Sequence, residues 1–191
     1  MNINLSWDLF VIVFFVVIVA YSFIIGRDNT LKVILGTYVS MIAADAGGNL
    51  FAKYFSGSEL FMKILKLAAV GNESEAVVFV KVLIFVVLVI LFAVKGAFEV
   101  RTVDDRSAAI RMVLSIIYAV MSAGLIISTI MVFVGGSHGL SGDMDVATTA
   151  LWNIYNKSQI VRLMVTYSYF WFSLPALTFL IHSLYTRKNE E

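Results

Sequence analysis

Long apolar runs constrain the fold of this chain more than any other feature. The first run, Leu9–Ile25, holds seventeen residues without a charge and is rich in Val, Ile and Phe. A helix needs about 20 mainly apolar residues to cross the hydrocarbon core of a bilayer. Hydrophobic residues make up 60% of the chain and charged residues only 14%, against roughly 25% in ordinary globular chains. The sequence therefore predicts an integral membrane protein built of helices.

The spacing of the apolar runs predicts one all-α transmembrane domain over residues 1–191 with five spans. The predicted spans cover residues 9–26, 31–54, 76–97, 108–134 and 163–184. A cleaved signal peptide is the alternative for the first span. It fits poorly, because Met1–Asp8 contains no Lys or Arg and no small-residue cleavage site follows. We therefore expect a retained first span.

Three local features carry further predictions. The link Gly26–Thr30 predicts a tight hairpin, with Asn29 or Thr30 as the N-cap of the second helix. Lys81, near the start of the third span, is expected to extend its amine to the headgroups. The only proline, Pro175, should kink the last span.

Residues 59–70 predict one amphipathic helix between the second and third spans. Lys63 and Lys66 lie off the apolar side of this segment. That apolar side is formed by Leu60, Phe61, Ile64, Leu65 and Ala68. Such a helix lies flat in the membrane interface. The alternative is that it extends a bundle helix outside the membrane.

The second predicted span, Leu31–Tyr54, is marked by a stripe of small residues on one side. This α2 stripe consists of Gly36, Ser40, Ala44 and Gly48, which recur every four residues. The fourth span carries a second stripe of Ser115, Ala119 and Ala123, with Ser122 and Gly124 beside it. Small residues let helices approach closely in a membrane. We expect the two stripes to pack against each other.

Asp45 is the most deeply placed carboxylate in the predicted spans. At the helical rise it lies roughly 20 Å from Leu31 along its helix. An intramembrane carboxylate costs about 2.5 kcal/mol or more and is a functional-site hypothesis by default. One interpretation is an ion or proton path lined by Asp45 and Asn49. The other is a structural bond to a neighbouring helix, through Ser or Thr hydroxyls or Arg162, or contact with the outer headgroups.

The sequence contains no catalytic, cofactor-binding or metal-binding constellation. It has two histidines, His138 and His182, and no cysteine, which excludes disulfides, Fe–S clusters and thiolate zinc sites. No Ser-His or His-Glu-x-x-His arrangement is present. The net charge of +1 shows no nucleic-acid footprint. We expect neither enzyme activity nor a cofactor.

The distribution of positive charge predicts the orientation. With five spans, one side receives eight of the 14 Lys and Arg residues, including most of the arginines. We therefore predict an outer N-terminus and a cytoplasmic C-terminus in a bacterial-type inner membrane. A re-entrant second segment would invert everything after it.

Short motifs accompany this order of elements from Leu5 to Gln159. They are the Gly26-Arg27 turn, the Asp105-Arg106 pair before the fourth span, and Asn156-Lys157-Ser158-Gln159 before the last helix. In this layout the chain resembles the bacterial colicin V production protein family. It departs from the family at Ala109 and Val113, where glycines are expected, and in its additional fifth span. The resemblance implies an inner-membrane protein linked to secretion and envelope integrity, without established catalysis.

The leading hypothesis is a non-enzymatic membrane subunit or scaffold of a larger inner-membrane or envelope assembly. Its expected partners are the lipid bilayer and other membrane proteins or further copies of the chain, without nucleic acid. The alternative is an ion- or proton-conducting oligomer that uses Asp45. A small-molecule transporter is a third class, but its usual inverted repeat is not visible.

Overall fold

The computed structural model describes residues 7–55, 58–59, 63, 73–96, 108–135 and 156–188. Within these ranges the chain forms helices joined by short links, and they contain no strand. The helices are α1 (Trp7–Ile25), α2 (Arg27–Phe55), α3 (Glu73–Lys95), α4 (Ala108–Val134), α5 (Gln159–Thr166) and α6 (Ser168–Lys188). The all-α prediction is confirmed for this part of the chain.

Three of these helices are long and apolar enough to cross a membrane. They are Trp7–Ile25, Ala76–Lys95 and Arg111–Val134. Gln159–Thr166 and Ser168–Ile181 meet the criterion as a pair, bent by 53°, and would make a fourth crossing. The described residues thus hold three or four such spans, fewer than the five predicted. The predicted span that does not meet the criterion is α2, which has 29 residues but carries more polar side chains than the other helices.

α4 is the central helix of the bundle. In the most apolar 18-residue stretch of α4, 78% of the residues are buried inside the protein, against 11% in Trp7–Ile25 and 17% in Ala76–Lys95. α1, α2, α3, α5 and α6 all pack against it. α1 and α3 therefore direct most of their apolar surface outward, where Val17 and Ile90 are more than half exposed.

A glycine separates α1 from α2. Gly26 has a φ of 81°, a left-handed conformation that favours glycine. The Asn29 side-chain amide donates a hydrogen bond to the Ile25 carbonyl, at 2.9 Å. The Thr30 hydroxyl contacts the carbonyl oxygens of Ser22 and Gly26. The predicted N-cap role of these two residues is therefore wrong. α2 already begins at Arg27, so Asn29 and Thr30 lie in its first turn and bond the end of α1.

The last predicted span is broken at Tyr167, and the kink expected at Pro175 stays a prediction. α6 continues as a helix through Pro175, whereas Tyr167 ends α5 with a φ of −98° and a ψ of 21°. Tertiary contacts fix the two halves differently. Ser158, the N-cap of α5, contacts Asp8 of α1, while Trp171 of α6 packs on Gly124 of α4. The bend therefore follows from where each half is held.

The predicted amphipathic helix at 59–70 lies almost entirely outside the described residues, and His138 also lies outside them.

Candidate functional site

The α2 stripe is buried, and the two glycines in it face α3. A Cβ atom added at Gly36 would lie 2.7 Å from the Cβ of Phe92, and one at Gly48 would lie 2.2 Å from the Cγ of Lys81. Ser40 and Ala44 are both fully buried. The predicted contact between the two small-residue stripes is therefore wrong at both glycines. They make room for large side chains of α3 rather than for small residues of α4.

The second stripe lies on the buried side of α4. Ala119 and Ala123 are fully buried and Ser115 is half-buried. Next to this stripe, Gly124 makes room for an aromatic ring, since a Cβ there would lie 2.0 Å from Cε3 of Trp171. The contact of α4 with α2 uses larger residues instead. These are Leu31 and Ile34 of α2 with Tyr118, Met121 and Leu125 of α4.

Asp45 forms an ion pair with Lys81 across the α2–α3 contact. The Nζ of Lys81 lies 2.7 Å from Oδ1 of Asp45, and the two side chains are 6% and 25% exposed. The side-chain amide of Asn49 lies 3.4 Å from the other carboxylate oxygen, Oδ2. The expectation that Lys81 reaches the headgroups is wrong, because its amine is buried against α2. Burial of a charge in an apolar environment requires such a partner.

Gly48 makes this ion pair sterically feasible. A Cβ at Gly48 would meet Cγ, Cε and Cδ of Lys81 at 2.2, 3.0 and 3.2 Å. The lysine stem thus passes directly over the glycine on its way to Asp45, one helical turn earlier. We call Asp45, Gly48, Asn49 and Lys81 the ion-pair site.

Arg162, a predicted partner of Asp45, lies elsewhere. It belongs to α5, and its guanidinium donates to the carbonyl oxygen of Asn156 at 3.5 Å.

A second charged contact joins α1 to α5, and no pattern in the sequence indicates it. Asp8 accepts hydrogen bonds from the Ser158 hydroxyl and, at 3.2 Å, from the Ile160 amide. The Ser158 oxygen in turn accepts from the Val161 amide at 3.0 Å and caps α5. The Ser158 N-cap could be recognised locally. Its link to Asp8 could not, because the two residues are 150 positions apart.

Three buried serine hydroxyls have no hydrogen-bond partner within the described part of the chain. These hydroxyls belong to Ser40, Ser122 and Ser128. The buried indole nitrogen of Trp171 also has no hydrogen-bond partner among the described residues. Most buried polar groups in proteins are paired. These four groups are therefore places where a ligand or a rearranged rotamer would be favourable.

The described residues contain no group of His, Cys, Asp and Glu side chains that could hold a metal ion. Comparison with family models, with curated proteins and with solved structures gives no match. The resemblance to the colicin V production protein family accordingly stays a prediction from the sequence.

Proposed function

We propose that this chain is a non-enzymatic, multi-pass subunit or scaffold of a larger assembly in a bacterial-type inner membrane. The observation that carries the proposal is the ion pair between Asp45 and Lys81. In this ion pair the carboxylate of Asp45 binds α2 to α3, which is a structural role. A buried ion pair of this kind can specify which helices associate and in which register.

The register of α2 against α3 supports α2 as a fifth crossing. Along this contact, Lys32 lies beside Gly96, Gly36 lies beside Phe92, and Gly48 lies beside Lys81. Residue numbers rise along α2 as they fall along α3, so the helices are antiparallel from Lys81 to Gly96 of α3. If α3 spans the bilayer, α2 beside it spans the bilayer too. Its lower apolar content follows from its burial, since ten of its residues are shielded by other helices.

Exposed apolar residues on the other side of α2 support a role in assembly. Val39 is 52% exposed, Ile42 68% and Leu50 60%, and the exposed Ala43 and Ala46 lie between Ile42 and Leu50. The short side chains of Ala43 and Ala46 let a neighbouring protein helix approach this face of α2 closely. The five-span orientation proposed for the assembly has an outer N-terminus and a cytoplasmic C-terminus. The link to secretion rests on the family resemblance.

Ion or proton conduction is the second candidate. The observation that favours it is the unequal burial of the ion pair, because the Asp45 side chain is 25% exposed while Lys81 is 6% exposed. A carboxylate reachable from one side and held by a lysine can take part in a proton relay.

Purification in mild detergent from the native membrane tests the leading proposal. A particle with other proteins bound in fixed ratio supports a subunit or scaffold. A pure homo-oligomer contradicts it. Flux into liposomes, lost in Asp45→Asn while the oligomer stays intact, would establish the second candidate instead.

A further inference from the structure

We propose that a groove between α1 and α3 binds an acyl chain of an anionic glycerophospholipid, with the lipid phosphate at the end where α1 meets α2. This proposal rests on the membrane placement of the proposed function. It goes beyond that function because it assigns a ligand and a site outside the ion-pair site.

The groove is apolar and has a volume of about 410 Å³. α1 and α3 form its two walls, while Ile126 and Ile130 of α4 form part of its floor. Almost all of its lining side chains are aliphatic or aromatic, which suits a hydrocarbon chain and not a polar ligand.

The rim of the groove lies on the apolar outer surface. Val17 of α1 is 57% exposed, and Ile90 and Val94 of α3 are 55% and 69% exposed. Exposed aliphatic side chains at this depth of a transmembrane helix face lipid. A lipid chain can therefore enter the groove sideways from the bilayer without crossing water.

The groove also contains an unpaired hydroxyl. Ser122 of α4 lines it, is 1% exposed, and has no hydrogen-bond partner among the described residues. A phospholipid carries ester carbonyl oxygens at the upper end of its acyl chains. Such an oxygen would satisfy the hydroxyl that the protein leaves without an acceptor.

Positive charge lies at the end of the groove where Tyr21 and Val94 line it. Arg27 begins α2, Lys95 ends α3, and the Cε of Lys32 lies 2.7 Å from where a Cβ of Gly96 would stand. Asp28 is the acidic residue described at this end, so the described charges there sum to +2. This charge complements the phosphate of an anionic headgroup.

Site-specific quenching tests the proposal. The chain has no cysteine, so a single cysteine can carry a bimane fluorophore without other changes. We would label Val94→Cys at the groove and Leu91→Cys as the matched control, which is exposed on the same helix but does not line the groove. The labelled full-length protein is placed in phosphatidylcholine vesicles that contain a rising fraction of brominated phosphatidylglycerol or, in a parallel series, of brominated phosphatidylcholine.

The expected result is saturable quenching of the groove label at a lower phosphatidylglycerol fraction than the control label requires. Lys32→Gln should raise the required fraction about fivefold, the effect of one lysine near a membrane phosphate. If the Lys32→Gln variant does not fold, the Lys95→Gln variant is used in its place, with the same expected effect. Ala93→Phe should abolish the preference by filling the groove, whereas Val87→Phe on the outer face should not.

Three results would overturn the proposal. Equal quenching of both labels, by brominated phosphatidylglycerol and phosphatidylcholine alike, would mean that no lipid is preferred at the groove. A Val94→Cys disulfide dimer formed in vesicles in place of quenching would mean that a second copy occupies it. No quenching of either label by any lipid would contradict the membrane placement itself and so the proposed function as well.

Discussion

Lys81 illustrates how one residue's environment reverses the behaviour expected from its position. A lysine near the end of an apolar helix normally extends its amine to the headgroups. Here the amine meets Asp45 at 2.7 Å and is 6% exposed. The ion pair also engages the carboxylate, so neither charge is left alone in an apolar environment. The two residues have to be considered together, because removing one leaves the other without its counter-charge.

Asp45→Asn should destabilise the protein by about 3 kcal/mol, because it leaves the buried ammonium of Lys81 without its counter-charge. The double variant Asp45→Asn/Lys81→Met should recover most of that loss. Unfolding of the purified protein in mild detergent, followed by circular dichroism, measures both. Ala46→Ser, at an exposed position next to Asp45 and outside the ion-pair site, is the control and should change stability by less than about 0.5 kcal/mol. A double variant no more stable than Asp45→Asn would show that the ion pair does not account for the effect.

Asp8→Ala should cost about 2 kcal/mol, since hydrogen bonds to a charged group are among the stronger ones. It removes the acceptor for the Ser158 hydroxyl and the Ile160 amide. Ser158→Ala should cost a similar amount, and the double variant should cost less than the two together because they share one contact. Strict additivity in the same unfolding assay would contradict the shared contact.

Helix packing depends at the element scale on which glycine faces which side chain. Gly47 and Gly48 are neighbours in α2, yet a Cβ at Gly47 would meet only the tip of Ile84, at 3.1 Å. A Cβ at Gly48 would overlap the stem of Lys81. The sequence indicates that this segment packs closely but does not distinguish the two positions.

Gly48→Ala should therefore destabilise the protein by about 1–3 kcal/mol, the usual cost of overpacking. Gly47→Ala should be close to neutral, because the end of an isoleucine can move. Ala also favours the helix over Gly by about 1 kcal/mol, and this gain offsets the small clash at Gly47. Parallel unfolding curves of the two variants provide the comparison. Equal stability would mean that α3 does not approach α2 over Gly48.

At the scale of the whole molecule, the number of bilayer crossings depends on whether α2 spans the membrane. Single cysteines answer it for α2, since Asp28 and Glu59 lie near its two ends and both are exposed. We expect a membrane-impermeant thiol reagent to label Glu59→Cys in intact cells and Asp28→Cys only after the membrane is opened. Lys157→Cys should behave like Glu59→Cys in the proposed orientation. Labelling of Asp28→Cys and Glu59→Cys from the same side would make α2 re-entrant.

The chemistry of single residues indicated part of the candidate site. Asp45 is indicated as a candidate because a carboxylate in an apolar helix is costly. The four-residue spacing of the α2 stripe indicates close helix packing. The position of Lys81 near a helix end does not distinguish an amine at the headgroups from an amine in a buried ion pair. Its true partner is 36 positions away and belongs to a different helix. No local pattern encodes that distance.

The sequence by itself determined the helical class and the apolar character of the chain, because both follow from local composition and periodicity. It also marked the positions where helices approach closely, since only small residues permit that. The tertiary structure decided which helices meet there: α3 over Gly36 and Gly48, and α6 over Gly124. It also decided that the last helix pair bends at Tyr167 and that α2 is shielded by its neighbours. These outcomes depend on the shapes of side chains that come together only in the folded bundle.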